Sequence, residues 1–424
     1  MAKAKKILKA LGWTVLGIVA VAAGLAAYVQ LTGIPRYEPE KVAFMVQYTP
    51  ERVARGRRTV TRLCASCHKG RETGALTGHA MTDAPGVFGW IHSANITQDE
   101  EFGIGRYTDS ELAYLLRTGI TRDGRYTPPW MLKFPLLADE ELREIIAFLR
   151  SGDPLVRPIR LQAPASRPSF FTKMLTHVAF KPLPYPTEVI EAPPATDRVA
   201  YGRYLVQAKL DCYACHSKSF ATVDELVPEN TVGYLGGGNP MKDRTGGVVH
   251  TANLTPDVAT GIGSWTYEQF RRTLATGIRP DGRALRSPMT ARTDIDDEEA
   301  AAIWAYLRTV PALHNPLPTP PALPRETQAD AGSAVYYKYG CNVCHGADGS
   351  EPHDLRRARE KFPTDDALVD WIRHPERTRP GISMPTWDGM IEEHEYAPLV
   401  RFVRALGDAP RRASNQAEVS SGAP

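Results

Sequence analysis

Every cysteine in the 424-residue chain belongs to a Cys-x-x-Cys-His motif. The three motifs are Cys64-Ala-Ser-Cys67-His68, Cys212-Tyr-Ala-Cys215-His216 and Cys341-Asn-Val-Cys344-His345. This spacing is the attachment signature of haem c, in which both thiols form thioethers with the porphyrin and the histidine binds the iron. The sequence therefore predicts three covalently bound haem c groups, with His68, His216 and His345 as the proximal iron ligands.

Two other uses of paired cysteines fit the sequence less well. A structural zinc site needs four ligands, commonly with a second pair within about 20 residues, and no such pair follows any motif. A thioredoxin-like redox pair opens a helix in a βαβ pattern, and the flanks here lack a parallel-strand signal. Because three haem groups use all six cysteines, we expect no structural disulfide.

The N-terminal segment, residues 1–35, predicts a single membrane-spanning helix. Lysines at positions 3, 5, 6 and 9 surround the start of an apolar run that extends from about residue 7 to residue 29. About 20 apolar residues span a bilayer, and lysines before the span favour a cytoplasmic N-terminus. We therefore expect an anchor in the bacterial inner membrane, with the haem domains on the periplasmic side. A cleaved signal peptide, cut near the small residues 22–27, is the alternative.

Length and charge limit the remaining possibilities. A formal net charge of +3, with 42% hydrophobic and 23% charged residues, excludes a disordered or nucleic-acid-coating chain. The length after the anchor accommodates about three domains of 100 to 150 residues. Proline-rich linkers divide the chain, and we expect domains at 36–165, 166–315 and 316–407, followed by a disordered tail at 408–424.

The hydrophobic periodicity predicts an all-α chain. "LADEELREIIAFLRSG" predicts a helix with Asp139 as its N-cap and Gly152 at its end. "IDDEEAAAIWAYLRTVP" repeats this plan and stops at Pro311, and "EEHEYAPLVRFVRALG" closes at Gly407. Strand alternation is scarce throughout.

An internal repeat indicates the sixth iron ligands. Residues 89–125 align with 247–283 at a constant offset of 158, with 17 identities in 37 positions, and the same offset aligns 147–150 with 305–308. We call 89–150 and 247–308 the first and second repeats. Met131 plus 158 is Met289, whereas Met81 and Met241 have no methionine counterpart. Low-spin haems commonly use methionine as a sixth ligand, so Met131 and Met289 are the predicted ligands.

Alternative ligands remain at each haem. His92 plus 158 is His250, so bis-histidine ligation is also compatible with the repeat, and we interpret these two residues as buried hydrogen-bonding groups. Met131 and Met289 as ordinary core residues are a further alternative. At the third haem Met384 is the predicted ligand, because it precedes a proline and lies 39 residues after His345, with Met390 and His374 as alternatives.

The segment "ANLTPDVATGIGSWTYEQFRRTLATGIRPDGRAL", followed by "SPM", resembles the triheme cytochrome subunits of bacterial alcohol and gluconate-type dehydrogenases. The resemblance covers about residues 50–407 and implies class I-like cytochrome c domains, in which short helices pack around each haem with His/Met ligation. It further implies electron passage from a quinoprotein, flavin or molybdenum subunit to quinone or a terminal oxidase. The expected fold is all-α, with three tandem class I cytochrome c-like domains behind an N-terminal transmembrane helix.

The predicted function is a membrane-anchored triheme c-type cytochrome without substrate chemistry of its own and without catalytic residues. It would carry electrons from a periplasmic dehydrogenase, or a respiratory or photosynthetic complex, to quinone, a cytochrome or a terminal oxidase. One alternative is a peroxidase-like multihaem enzyme with one open haem site. Another is a permanent wire or docking subunit of a larger electron-transfer complex.

Overall fold

The structure is a computed structural model. It describes residues 2–407 apart from 71, 82–83, 243–246, 282, 284, 287, 290, 293–294, 319–330, 347–348, 350–353, 380–381 and 383. The predicted tail at 408–424 and residues 319–330, near the start of the third predicted domain, lie outside the described residues.

The described chain is mostly helical, as the sequence predicts. The helices of its N-terminal half are α1 (Ala2–Thr32), α2 (Pro50–Leu63), α3 (Ala65–His68), α4 (Asp109–Thr118), α5 (Asp139–Leu149), α6 (Phe170–Val178), α7 (Arg198–Tyr204) and α8 (Cys212–Cys215). Those of its C-terminal half are α9 (Tyr267–Thr276), α10 (Asp297–Leu307), α11 (Ala331–Lys338), α12 (Cys341–His345), α13 (Ala358–Lys361), α14 (Asp365–Arg373), α15 (Pro375–Thr378) and α16 (Glu393–Leu406).

Two short antiparallel strand pairs interrupt this pattern. Strand β1 (Gly89–Trp90) pairs with β2 (Arg167–Pro168), and β3 (Pro240–Lys242) pairs with β4 (Val248–His250). The register places Trp90 opposite Arg167 and Met241 opposite Val249. These pairs are only two or three residues long, so the alternation that normally reveals a strand in a sequence has no room to develop.

The chain divides into two compact units. The first comprises Met1–Ala214 with Val223–Thr231, and the second comprises Cys215–Thr222 with Val232–Pro424. The division into three haem domains stays a prediction.

Helix α1 has the length and composition of a membrane span. Its segment Lys9–Thr32 contains 24 residues, and its apolar side chains, among them Leu16, Val21 and Leu25, are exposed. At 1.5 Å per residue it is about 36 Å long, against about 30 Å for a bilayer core. A signal sequence has the same properties, so both predicted roles of this segment are compatible with the helix.

The repeat is visible in the helix boundaries. Helices α4 and α9, and likewise α5 and α10, begin and end at positions that differ by 158. Capping boxes at Thr108 and Thr266 start the first pair. Gly119 and Gly277, with φ of 81° and 75°, end it in the left-handed conformation that glycine tolerates best. The same local sequence signals thus stop both helices at the same place.

Three predicted helix boundaries are wrong. Helix α5 ends at Leu149 rather than at Gly152, α10 ends at Leu307 rather than at Pro311, and the predicted N-cap of α5 also differs.

Helix α5 has Ala138 as its N-cap, and Asp139 is its first helical residue. The Asp139 carboxylate accepts a hydrogen bond of 2.6 Å from the Arg117 guanidinium. Because Arg117 is fully buried, its charge needs this partner, which takes the carboxylate away from the cap. The prediction that Gly407 closes the last helix is confirmed.

The same close helix crossing occurs near two of the haem motifs. Helix α2 crosses α5 at Gly56, where an added Cβ would lie 1.8 Å from the carbonyl oxygen of Glu144. Helix α11 crosses α16 at Gly332, where a Cβ would lie 2.2 Å from the carbonyl oxygen of Pro398. In each case the helix that precedes a haem motif packs against a helix that follows the motif.

Candidate haem sites

The first motif lies on a short helix that continues directly from α2. Cys64 ends α2 and begins α3, and the backbone amide of His68 donates to the carbonyl of Cys64 over 2.8 Å. Since the motif occupies about one helical turn, its two sulfur atoms and the imidazole are brought close together. His68 is buried.

A backbone carbonyl fixes the orientation of the first imidazole. The Nδ1 atom of His68 lies 2.8 Å from the carbonyl oxygen of Ala94. A carbonyl only accepts, so Nδ1 carries the proton and the lone pair of Nε2 is directed elsewhere, as an iron ligand requires. Burial lowers the pKa of His68, which favours the neutral imidazole that binds metal.

The second motif has the same arrangement. The Nδ1 atom of His216 lies 2.8 Å from the carbonyl oxygen of Ala252, and 252 is 94 plus 158. Burial lowers the pKa of His216 as well. The repeat therefore reproduces the hydrogen bond that orients the histidine.

An asparagine beside each carbonyl stabilises the loop. The Asn95 side-chain oxygen accepts from the Thr97 backbone amide over 2.9 Å, and Asn253 does the same for Thr255 over 2.9 Å. Sequence reasoning missed these residues. Both repeats contain the sequence Ala-Asn-x-Thr, which could have indicated them. Its role is to hold a backbone carbonyl in place, and a pattern of side chains does not reveal that role.

A glycine holds each histidine from the other side. The Gly78 amide donates to the carbonyl of His68 over 2.7 Å, and the Gly237 amide donates to that of His216 over 2.8 Å. Both glycines have positive φ, 83° and 70°. An added Cβ would lie 2.2 Å and 2.4 Å from backbone oxygens, so only glycine fits these two positions.

The third motif lines a cavity of about 460 Å³ in the second unit. Cys341, Cys344 and His345 of α12 and the predicted ligand Met384 all line this one cavity. Among the described residues on its wall, Met384 is the methionine, and neither Met390 nor His374 is present. The structure thus brings together the four groups that the sequence assigns to the third haem.

The chemistry of this cavity fits a haem. Its volume lies in the range of about 300 to 1,000 Å³ that is typical of cofactor pockets. Large apolar side chains dominate its wall, including Phe362, Trp371, Trp387 and Leu399. Burial raises the pKa of Cys341 to about 12, so the site favours an uncharged sulfur, which is the state of a thioether. The residues present therefore match a covalently attached macrocycle.

The second repeat supplies part of this cavity wall. Thr276, Gly277, Ile278, Leu285 and Ala291 line it together with the third motif. The predicted ligand Met289 belongs to the same loop, which follows α9. No sequence pattern indicates this contact, because it joins residues about 60 positions apart.

Met131, the predicted methionine ligand of the first haem, packs against the same hydrophobic core as a cysteine of the first motif. Met131 is partly buried and packs against the core cluster that contains Cys64, Leu76 and Phe134. Met289 is partly buried, and its iron ligation stays a prediction, as does that of Met131 and Met384.

The alternative ligands have other partners or positions. His92 is partly buried, and its Nδ1 lies 2.8 Å from the carbonyl oxygen of Ser93.

The remaining alternatives also have other partners or positions. The backbone amide of Met81 donates to the carbonyl of Ile91, and Met241 lies in strand β3. The ring of His374 lies 3.7 Å from carboxylate oxygens of Glu376 and Asp388. His250 lies in strand β4 and is partly buried.

Comparison with known proteins agrees with this chemistry. The family model for cytochrome c oxidase, cbb3-type, subunit III matches residues 51–149 and 327–403, which contain the first and third motifs. The cytochrome c subunit of the quinone-dependent alcohol dehydrogenase of Gluconobacter oxydans is 28% identical over 375 residues, covering 80% of this chain and 75% of that protein.

The chain is similar to the cytochrome c subunits of bacterial dehydrogenases. The gluconate 2-dehydrogenase cytochrome c subunit of Pantoea cypripedii is 26% identical over 373 residues, covering 80% of this chain and 82% of that protein. The fructose dehydrogenase cytochrome subunit of Gluconobacter japonicus is 27% identical over 328 residues, covering 69% and 63%. The resemblance predicted from the sequence is confirmed.

These findings indicate the general chemistry of the protein. The chain is similar to cytochrome c proteins, and cytochrome c domains bind haem c covalently and transfer electrons. The number of haems, the membrane attachment and the redox partners go beyond this similarity.

Proposed function

We propose that the protein is a membrane-anchored triheme cytochrome that passes electrons from a periplasmic dehydrogenase to a downstream acceptor. The observation that carries the proposal is the third cavity, where two thiols, an imidazole and a thioether sulfur from distant parts of the chain surround one apolar space. Haem c, when bound, supplies one-electron chemistry between ferric and ferrous iron. The same motif at Cys64 and Cys212 supports the same group at two further sites.

The protein residues hold each iron ligand in place and exclude water. The carbonyls of Ala94 and Ala252 keep the imidazoles of His68 and His216 in one tautomer and one orientation. Met131, Met289 and Met384 are the proposed sixth ligands. If a histidine and a methionine of the protein both bound each iron, the iron would have no open position for a substrate, and this would favour electron transfer over bond chemistry.

The second and third sites are proposed to exchange electrons directly. The loop after α9 carries Met289 and also forms part of the third cavity wall through Ile278 and Leu285. If Met289 binds the second iron, this one loop contacts both haems, and its described residues on the third cavity wall are apolar or small.

The proposed location and partners follow from α1 and from the relatives. Helix α1 is long enough to anchor the protein in the inner membrane with the haem domains in the periplasm. The relatives are named as subunits of alcohol, gluconate and fructose dehydrogenases, so a dehydrogenase subunit is the proposed donor. Quinone, a further cytochrome or a terminal oxidase is the proposed acceptor.

The test combines variants with a redox titration of the full chain. Replacing both cysteines of one motif by alanine, for example Cys341→Ala with Cys344→Ala, is expected to lower the haem content by one group per chain. An unchanged haem content in any of the three double variants would contradict three haem sites. Spectroelectrochemical reduction of the wild type is expected to take up three electrons with low-spin spectra throughout. A high-spin haem together with turnover of hydrogen peroxide would instead support the enzymatic alternative.

A further inference from the structure

Helix α6 (Phe170–Val178) has an inverted distribution of polarity. Thr172 and Thr176 are fully buried, whereas Phe170 and Phe171 are exposed and Val178 retains 70% of its accessible surface. A short helix on a protein in water normally buries its apolar face and exposes its threonines. Exposed large apolar groups are informative when they occur together, because they mark a surface that contacts something other than water.

Two further apolar side chains lie beside this helix. Val87 and Trp90 are exposed, and they belong to the segment that pairs with the residues before α6. The Ser169 amide donates to the carbonyl of Phe88 over 3.0 Å, and the Thr172 hydroxyl donates to the same carbonyl over 3.1 Å. We call the five exposed residues the apolar shelf: Val87, Trp90, Phe170, Phe171 and Val178.

The end of α1 is attached to α6. The Lys173 ammonium donates to the side-chain oxygen of Gln30 over 3.1 Å, and the His177 Nε2 lies 3.0 Å from the carbonyl oxygen of Gly33. The rings of Tyr28 and His177 make an edge contact at 5.5 Å. Helix α6 therefore lies within about one turn of the last residue of α1.

This attachment fixes the depth of the shelf relative to a bilayer. The segment Lys9–Thr32, about 36 Å long, exceeds a hydrocarbon core of about 30 Å by about 3 Å at each end when it is centred. Its C-terminal end then lies in the headgroup region, where aromatic and amphipathic side chains are enriched. Any bilayer around α1 reaches α6 at this level.

The charges beside the shelf suit lipid headgroups. Lys173 and Lys181 lie at α6, and the Lys181 ammonium donates to the carbonyl of His177 over 2.6 Å at the C-terminal end of that helix. Arg167 lies in β2, opposite Trp90. Helices that lie in the membrane interface and bind anionic lipids typically have basic residues next to an apolar face.

We propose that the apolar shelf inserts into the boundary between headgroups and acyl chains of the same bilayer that α1 spans. This inference rests on the proposed membrane anchor. A lipid surface is the occupant because the shelf is continuous with α1 through the Gln30 and Gly33 contacts. The shelf also adjoins the first haem site, since the Trp90 ring lies 5.6 Å from the His92 ring and the Phe88 ring lies 6.2 Å from that of Trp130, next to Met131.

Spin labels in the full chain, reconstituted into nanodiscs that contain anionic lipid, test this proposal. Single cysteines are introduced as Phe171→Cys and Val178→Cys, labelled with a nitroxide, and examined for collisions with oxygen and with a water-soluble nickel complex. Val189→Cys is the matched control, because Val189 is 67% exposed in the same unit and lies outside the shelf. Leu16→Cys in the middle of α1 reports on the anchor itself. Haem content and the reduced spectrum verify that each variant folds.

We expect the ratio of oxygen to nickel accessibility at positions 171 and 178 to be several-fold higher than at 189, and intermediate between 189 and 16. Labels at 171 and 178 that match 189 while the label at 16 lies in lipid would overturn the shelf and leave the anchor intact. Shielding from both reagents would indicate a protein on the shelf and also overturn the proposal. A label at 16 in water would overturn the anchor and, with it, the shelf.

Discussion

The first and second repeats use the same device to orient a haem histidine, but they place the following loop in different surroundings. The hydrogen bonds from His68 to Ala94 and from His216 to Ala252 have the same length, 2.8 Å. In the first repeat the loop after α4 carries Lys133, whose buried ammonium lies 5.3 Å from the centre of the Tyr126 ring. In the second repeat the equivalent position is Ala291, which lines the third cavity.

This difference shows which features the two repeats share and which differ between them. Ligand orientation depends on backbone groups of one loop, and both copies retain it. The loop that carries the predicted sixth ligand instead differs between the copies. At the position of Lys133 the second copy has the uncharged Ala291, as a wall of an apolar cavity requires.

The largest expected effect concerns the ion pair that only the first repeat buries. Arg117 is fully buried beside Asp139, whereas the equivalent aspartate of the second repeat, Asp297, pairs with the half-exposed Arg271. Arg117→Met removes the fully buried partner of the partly buried Asp139 carboxylate, which retains Arg143 at 4.0 Å, and is expected to reduce the free energy of unfolding by about 3 kcal/mol. Arg271→Met is expected to cost less than about 1 kcal/mol. Chemical denaturation of the haem-loaded protein measures both values.

Equal losses in the two arginine variants would show that burial does not distinguish these pairs. The two ion pairs would then contribute equally to the free energy of unfolding although only one of the two arginines is buried.

The next effect tests whether the second repeat serves the third haem. Ile278 and its repeat counterpart Ile120 are both buried, so Ile278→Ala and Ile120→Ala are each expected to cost about 2 to 5 kcal/mol of stability. Only Ile278 lines the third cavity, so Ile278→Ala alone is expected to admit water there and shift the midpoint potential of the third haem. A redox titration followed by visible spectra, with the Cys341→Ala/Cys344→Ala variant to identify the third haem, measures this shift.

An unchanged third potential in Ile278→Ala would contradict the shared wall. So would a shift of the same haem in Ile120→Ala, because that residue belongs to the other unit and does not line the cavity.

The smallest effect concerns the contact between α2 and α5. Two hydrogen bonds, 2.7 and 3.0 Å long, join the Arg52 guanidinium to the Glu140 carboxylate, and they hold the pKa of Glu140 below its usual value. Because the pKa is lowered in the folded state, this stabilisation is present above the unfolded pKa of about 4.5 and is lost as the pH falls through the folded pKa. Glu140→Gln is therefore expected to cost up to about 1 kcal/mol at neutral pH and little at pH 3.

Thermal unfolding at the two pH values measures this difference. The repeat counterpart Glu298 is exposed, and Glu298→Gln serves as the control. A stability loss in Glu140→Gln that is the same at both pH values would indicate a packing effect rather than the ion pair.

The mostly helical fold and the repeated helices could be predicted from the sequence because each has a local signature, and the haem attachment residues stay a prediction from the same kind of signature. Once the hydrogen bond from His68 to the Ala94 carbonyl is known, the offset of 158 predicts the equivalent bond from His216 to the Ala252 carbonyl. The bond itself was missed, since a backbone carbonyl leaves no mark in a residue pattern. The sequence pattern predicts Asp139 as the helix cap. In the structure Asp139 instead pairs with the buried Arg117, 22 positions earlier, and residue spacing does not predict that contact. The wall of the third cavity likewise depends on tertiary packing.

The central claim is that each of the three motifs holds a low-spin haem between a histidine and a methionine. Absorption spectra of the oxidised and reduced full chain, from the visible to the near infrared, together with a pyridine haemochrome count, test it most directly. The account predicts three haems per chain and a weak long-wavelength sulfur-to-iron band with an intensity that matches all three. A count below three, a band too weak for three methionine ligands, or a high-spin signal in the resting protein would contradict it.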